Sequence, residues 1–313
     1  MRLHFPFHFS LHFPHYTVSF VILGSLILLW NGCFTPITEP PDLPYDERVV
    51  IRAILMVGEP MNEIQISRTL PPLDTFSYRK IFIENAKASI TVDGQVLPLE
   101  LYTRNTTGTA IVRSLYRVPN MRTQPGKLYT LNVEWQSPTT GRTLRASAET
   151  RTPSAPLVDS ARVIAAFRTN TTTMRVDTIF ASEAFVQARA QESMRVGTLL
   201  LSGGQVVSSR GYGDASFIQS SASVSLRSND WTLPRELSTA TVQLLSGFLQ
   251  SRVVVETYDT DYNKYFQTRN RSGQPSPLNP GGPNIDWNVK GDGIGMFIGA
   301  AQWVRVVPVR RVQ

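Results

Sequence analysis

The sequence predicts an all-β fold: an N-terminal immunoglobulin-like β-sandwich followed by a second β-rich domain with one or two short helices. Three observations predict it. Apolar and polar residues alternate through most of residues 48–152, so each segment turns one face inward as a half-buried strand does. Gly, Pro, Asn and Asp fall between these segments at short intervals, where turns need them. The 313 residues are 42% hydrophobic and 18% charged. That composition supplies a packed core, and the length has room for about two domains of roughly 100–200 residues each.

The first 32 residues read as a leader that is removed. Arg2 gives a weakly positive start, and the apolar run Val18 to Trp30 follows. Thirteen residues are too few for a bilayer core, which takes about 20 in a helix, but they have the length of a signal-peptide apolar region. The run ends in Asn31-Gly32-Cys33, and Cys33 is the only cysteine. A small residue before a cysteine at this place resembles the lipobox of bacterial lipoproteins, in which the cysteine is diacylated and becomes the new N-terminus. Trp30 and Asn31 stand where the lipobox usually has Leu and Ala or Ser, with Leu28 and Leu29 just outside. The alternative is an ordinary signal peptide or an uncleaved anchor, with Cys33 incidental. Two acyl chains would anchor stably where one binds only marginally.

Removing the leader changes the chemistry available. His4, His8, His12 and His15 are the only histidines, and all lie within it. The mature chain therefore has no Ser-His-Asp or Cys-His site, no HExxH or Cys/His zinc site, and no His- or Cys-ligated haem. One cysteine allows no intrachain disulfide, so the core itself must hold the fold. No cofactor is expected, and catalysis is not expected.

Residues 33–47 read as a tether, because Pro36, Pro40, Pro41 and Pro44 oppose regular structure and favour an extended chain. The sandwich is expected over 48–152 and opens with the β-branched run after Arg48. Ala88 to Val92 alternates, Asp93-Gly94 follows, and Leu97, Leu99 and Leu101 share the next face. Asp-Gly between alternating runs signals a tight hairpin. Pro98 lacks an N–H, so its run is expected at a sheet edge. Val112, Tyr116 and Val118 share a face, as do Tyr129, Leu131, Val133 and Trp135, which points Trp135 into the core.

Thr152 to Pro156 carries two prolines and opposes both helix and central strand, so residues 153–158 read as a linker and 159–313 as the second domain. Strands are expected at 173–180, 198–208, 222–226, 252–258 and 302–309. Glu183 to Arg195 is the best helix candidate, and 259–268 a short second one. Residues 274–283 are rich in Pro and Gly and read as an irregular loop.

A family resemblance rests on the end of the chain. Tyr262 and Tyr265 lie on the short helix, Pro277 and Pro280 in the loop, and Asn288 precedes Gly291, Gly293, Gly295 and Phe297. This order resembles the C-terminal signature of domain-of-unknown-function family 4249, an envelope lipoprotein family of Bacteroidetes and relatives. Asn85 to Gly94, Gly126 to Val133 and Thr152-Pro153 resemble its earlier segments, so the likeness spans about residues 45–310. The resemblance implies a lipoprotein of the bacterial outer membrane working near TonB-dependent nutrient receptors. Its implied partners are therefore the membrane, through the N-terminal lipid, and a transporter or other envelope protein.

Other patterns are weaker. Asp259, Asp261 and Asn263 match the first ligands of a calcium loop, but Lys264 and Asn270 stand where Gly and a bidentate Glu are needed; the bland reading is a strand-to-helix turn capped by Asp259 or Thr260. Gly291-Asp292-Gly293-Ile294-Gly295 lacks the spacing of a phosphate loop and reads as a tight turn or bulge. Glu256, Asp259 and Asp261 could pair in a hydrolase acting on polysaccharide or peptidoglycan, the second functional reading; a purely structural envelope protein is the third. Trp231, Trp287 and Trp303 could stack on a sugar, with Trp287, Tyr262 and Tyr265 the favoured contacts for a ligand or partner. The net charge of +7 loses only Arg2 with the leader and is spread in single residues. With export, that argues against nucleic acid.

Overall fold

The computed structural model describes residues 45–105, 112–170, 174–202, 205–232, 250–271 and 285–311. Cys33, most of the tether, and the Pro/Gly segment 274–283 with Pro277 and Pro280 lie outside them. The chain from Asp46 onward forms one compact unit.

The first part supplies β1 (Val49–Met56), β2 (Gln65–Arg68), the single turn α1 (Tyr78–Ile81), β3 (Lys87–Val92), β4 (Gln95–Pro98), β5 (Glu100–Asn105), β6 (Val112–Arg117), β7 (Leu128–Gln136) and β8 (Thr143–Arg151). Next come β9 (Leu157–Asn170), β10 (Arg175–Ala188), β11 (Ser193–Ser202), β12 (Gln205–Arg210), β13 (Ser216–Phe217) and β14 (Ala222–Arg227). The chain closes with β15 (Gln250–Tyr258), α2 (Thr260–Arg271), β16 (Val289–Gly291), β17 (Gly293–Val307) and β18 (Val309–Arg311). The protein is all-β, as the alternation predicts.

Asp93 and Gly94 take φ of 51° and 78°, the left-handed pair that lets a two-residue turn follow the strand twist. Pro98 sits opposite Ser89 on β4. That strand lies at the edge of a five-stranded sheet ordered β16-β8-β7-β3-β4.

A seven-stranded sheet runs β12-β11-β15-β17-β1-β2, with β13 also paired to β11. Its first part faces the five-stranded sheet across a core that includes Ile51, Ile66, Leu131, Trp135, Leu144 and Phe297. Farther along, it meets a four-stranded sheet, β14-β10-β9-β18, across a core including Val163, Phe180, Val196, Trp231 and Val255. Strands β5 and β6 form a separate ribbon.

Of the expected linker at 153–158, residues 153–156 lie between β8 and β9 while Leu157 and Val158 already belong to β9, and the long sheet draws strands from both sides of it. β1 pairs in parallel with β17, Val49 opposite Gly293 through Met56 opposite Ala300. The last long strand therefore completes the first core. β17 is buried on both faces over most of its length, because Met296, Ile298 and Ala300 on its other side pack under α2 with Tyr258 and Tyr262. A strand buried on both faces loses its alternation, which is why only its end, 302–309, read as strand.

The helix expected over Glu183 to Arg195 is not formed. Residues up to Ala188 belong to β10, which pairs with β9 on one side and β14 on the other. Ala184, Val186 and Ala188 are buried and Phe185 and Gln187 exposed, a period of two. Good helix formers in the segment are overridden by two flanking strands, since propensity is weak beside tertiary pairing.

Candidate functional site

Between β2 and β3 the chain loses its alternation. Pro71 and Pro72 break the strand, and the segment Leu73 to Phe82 gathers Phe76, Tyr78 and Phe82 with Arg79 and Lys80. Tyr78 and Phe82, four residues apart across α1, stack at 6.0 Å, and Phe76 meets Tyr78 edge-on at 5.2 Å. Below them the chain is seated on the core: Ile83 N–H donates to the Ile66 carbonyl at 3.2 Å, and the buried Tyr116 hydroxyl donates to the Ile83 carbonyl at 2.9 Å. Burial pushes the Tyr116 phenol up from its ordinary pKa, so it stays a neutral donor.

The result is an open cleft of about 1110 Å³. Phe76, Tyr78 and Phe82 form one wall, and Arg68, Ser114 and Trp135 line it as well. Its polar groups are pre-set. Trp135 donates its indole N–H to Asn85 Oδ1 at 3.0 Å, and Ser114 donates to Glu84 Oε1 at 2.6 Å. Arg68 Nε donates to the Lys80 carbonyl at 2.6 Å and its Nη1 to Glu47 at 3.0 Å, while its guanidinium lies 5.9 Å from the Trp135 ring. Lys80 pairs with Asp74 at 2.5 Å, and this contact holds the Asp74 carboxyl below its usual range. Arg79 has no carboxylate partner among the described residues and remains available at the rim.

The cleft was not among the sequence-derived sites. Its signal was present as three aromatics and two cations within ten residues that fit no strand pattern. Ser114 on β6 and Trp135 on β7 stand about thirty and fifty residues on, and only folding joins them to that segment.

The residues that were singled out assemble partly. Tyr262 and Tyr265 lie on α2, and Tyr265 meets Trp287 at 5.3 Å. They extend a ladder in which Tyr258 stacks on Tyr262 at 3.9 Å and Tyr262 on Phe266 at 4.3 Å. Tyr262 is buried in that stack; Tyr265 and Trp287 are half-exposed. The other two tryptophans stand elsewhere. Trp231 stacks on Phe180 at 4.6 Å inside the second core, and Trp303 packs at that core's margin with Arg305 at 5.6 Å. Among the described residues no two of the three stack on each other.

The three carboxylates each have a structural partner. Glu256 accepts from Arg195 Nε at 2.5 Å and from the Tyr258 hydroxyl at 2.6 Å. Asp259 caps α2: one oxygen accepts from Tyr262 N–H at 3.0 Å, the other from Gly299 N–H at 2.9 Å and from the Thr150 hydroxyl. Burial pushes its pKa up to about 6. Asp261 turns to Lys264 at 3.0 Å. The calcium-loop pattern thus resolves into a helix cap and an i,i+3 ion pair. Among the described residues no three His, Cys, Asp or Glu side chains gather as metal ligands, and no helix is long and apolar enough to cross a membrane.

The glycines carry the chain from one sheet to the other. β16 pairs with β8 and β17 with β1, and Asp292 between them accepts from the Arg145 N–H at 2.9 Å. Gly291 and Gly295 have φ of 79° and 118°. A Cβ on Gly291 would lie 2.4 Å from the Arg145 carbonyl oxygen, so the crossing needs bare backbone. Asn288 clasps β17 by donating to the Phe297 carbonyl at 2.6 Å and accepting from the Phe297 N–H at 2.9 Å.

No curated protein matches the chain. A family model described as Domain of unknown function (DUF4249) matches residues 36–193. That stretch holds β1 to β10, α1 and the cleft, while β16 and β17, which complete the first sandwich, lie beyond it. The match covers half of the 313 residues, and the chain belongs to this family.

Proposed function

We propose that this protein is a lipid-anchored binding protein of the bacterial cell envelope. In this reading it is non-catalytic, is held to the outer membrane through acylated Cys33, and serves a larger assembly such as a TonB-dependent transporter. The observation that carries the reading is the cleft at α1. It has the volume of a ligand pocket, an aromatic wall, and polar groups already oriented by Asn85, Glu84 and Arg68. It lies where the chain enters the fold, since Glu47 pairs directly with Arg68. Cys33 and the prolines before Tyr45 supply an anchor and a spacer on that side of the sequence. The engagement of Glu256, Asp259 and Asp261 by structural partners supports binding over hydrolysis.

Two measurements on cells making the full chain test it. Labelled palmitate is expected in the wild-type protein and absent from Cys33→Ala. Detergent-solubilised outer membranes are expected to yield the protein with a transporter or other envelope partner, and Trp135→Ala is expected to weaken that recovery. Label-free wild-type protein would overturn the anchoring. Recovery with neither partner nor bound ligand would overturn the binding role.

A further inference from the structure

The exposed side chains at the cleft rim have a second use. Val96, Phe167 and Val206 are exposed on three separate strands, whereas Leu73, Phe76 and Tyr78, which are 63%, 62% and 41% exposed, share one short segment. They lie within six consecutive positions, followed by Arg79 and Lys80. Scattered exposed apolar residues need no explanation, but a contiguous group beside unpaired positive charge marks a contact surface. We infer that the segment Leu73–Lys80 docks on an anionic lipid surface, with the Phe76 and Leu73 side chains entering the interface and Arg79 meeting headgroups.

Two observations favour a bilayer over a protein partner. The first is chain length. The compact unit begins at Asp46, and Glu47 is joined through Arg68 to the carbonyl of Lys80. The docking segment is therefore two side-chain contacts from the point where the chain leaves the fold. Twelve residues separate that point from Cys33. Even fully extended they span only about 40 Å, so an anchor at Cys33 holds this corner within about that distance of the membrane. The second is charge. Lys80 is neutralised by Asp74, but Arg79 is unpaired among the described residues and suits a phosphate headgroup. Apolar insertion with one or two basic residues is weak alone and adds to an existing lipid anchor. This inference rests on the anchoring proposed above, and it orients the cleft so that it opens close to the bilayer.

The test reads docking separately from acylation. The full acylated chain carrying Phe76→Trp is reconstituted in vesicles of phosphatidylethanolamine and phosphatidylglycerol containing brominated lipid, with the unsubstituted chain as background. Several-fold quenching of the added tryptophan is expected, with less in vesicles of phosphatidylcholine alone and less when Arg79→Gln is added. A tryptophan at position 76 that stays unquenched while the chain is held through Cys33 overturns the inference. If palmitate labelling shows no acylation, the same variant from residue 34 onward is added to the vesicles. Several-fold weaker but phosphatidylglycerol-dependent quenching then supports docking by itself, and its absence overturns docking as well. Photocrosslinking from position 76 to a second protein, with no lipid quenching, overturns it in favour of a protein surface.

Discussion

Glu47 and Arg68 form a 3.0 Å ion pair with side chains only 3% and 19% exposed. The pair ties the start of the compact unit to the end of β2. Glu47 also accepts from Ser137 in the turn between β7 and β8, and Arg68 also donates to Thr139 and Lys80. One ion pair thus gathers the chain entrance, α1 and the turn beneath the cleft.

Removing one member leaves the other charge with poor access to water, which costs more than an exposed pair contributes. Glu47→Ala is expected to destabilise the protein by about 2–4 kcal/mol, and Glu47→Gln by less because it keeps the hydrogen bonds. Chemical denaturation of the two variants checks this order. Equal and negligible losses would show that the pair is not structural.

Gly295 faces the Ile51 backbone so closely that an added Cβ would lie 2.0 Å from the Ile51 carbonyl oxygen, at a φ of 118°. No side-chain adjustment relieves a clash with backbone. Gly295→Ala is expected to separate β1 from β17 locally and cost at least about 3 kcal/mol. Hydrogen exchange should show faster exchange at β1 and β17 than at β9 and β10; uniform protection would contradict it.

Asp259 gives a pH signature. Its carboxyl moves from 3.8 to about 6 because burial penalises the charge more than the Gly299 N–H and Thr150 hydroxyl favour it. The folded state therefore holds this proton more tightly than the unfolded chain. The associated stability is fully present below about pH 4 and lost as pH rises through about 6. Two pK units correspond to about 3 kcal/mol at most. Relative to Asp259→Asn, the wild type is expected to lose up to that amount between about pH 4 and pH 7. A pH-independent difference would remove the argument.

Gly197 makes room for a phenol. A Cβ there would lie 2.5 Å from the Tyr212 ring, which covers the strand and holds the Arg195 guanidinium 4.9 Å above it. Burial raises Tyr212 to about 12. Gly197→Ala is expected to expel the ring and cost about 1–3 kcal/mol. The displaced phenol should titrate nearer 10, which an ultraviolet difference titration reads; an unchanged titration would mean that the ring stays in place.

Local patterns carried much of the fold. The period of two in β1, β7 and β8 follows from one buried face, so it is written in neighbouring residues. Asp93-Gly94 needs only its own backbone to turn, and Asp259 needs only Tyr262 three residues on to cap α2. By contrast, the segment around Glu183 has helix-forming composition and became strand, because β9 and β14 offer it two ladders at once. The cleft was hidden for a related reason: Phe76 and Trp135 have no sequence relation, and only the seating of Ile83 on Ile66 brings their segments together.

By itself the sequence determined the all-β class, the confinement of every histidine to the first fifteen residues, and the family. These depend on residue identity and near-neighbour spacing. The tertiary structure decided that β17 returns to complete the first core, that Trp231 and Trp287 serve different clusters, and that an aromatic-and-cation cleft sits beside the chain entrance. Such pairings join residues up to about 240 positions apart. They are selected by the burial and backbone hydrogen bonding of whole sheets, a collective energy that no short window of sequence contains.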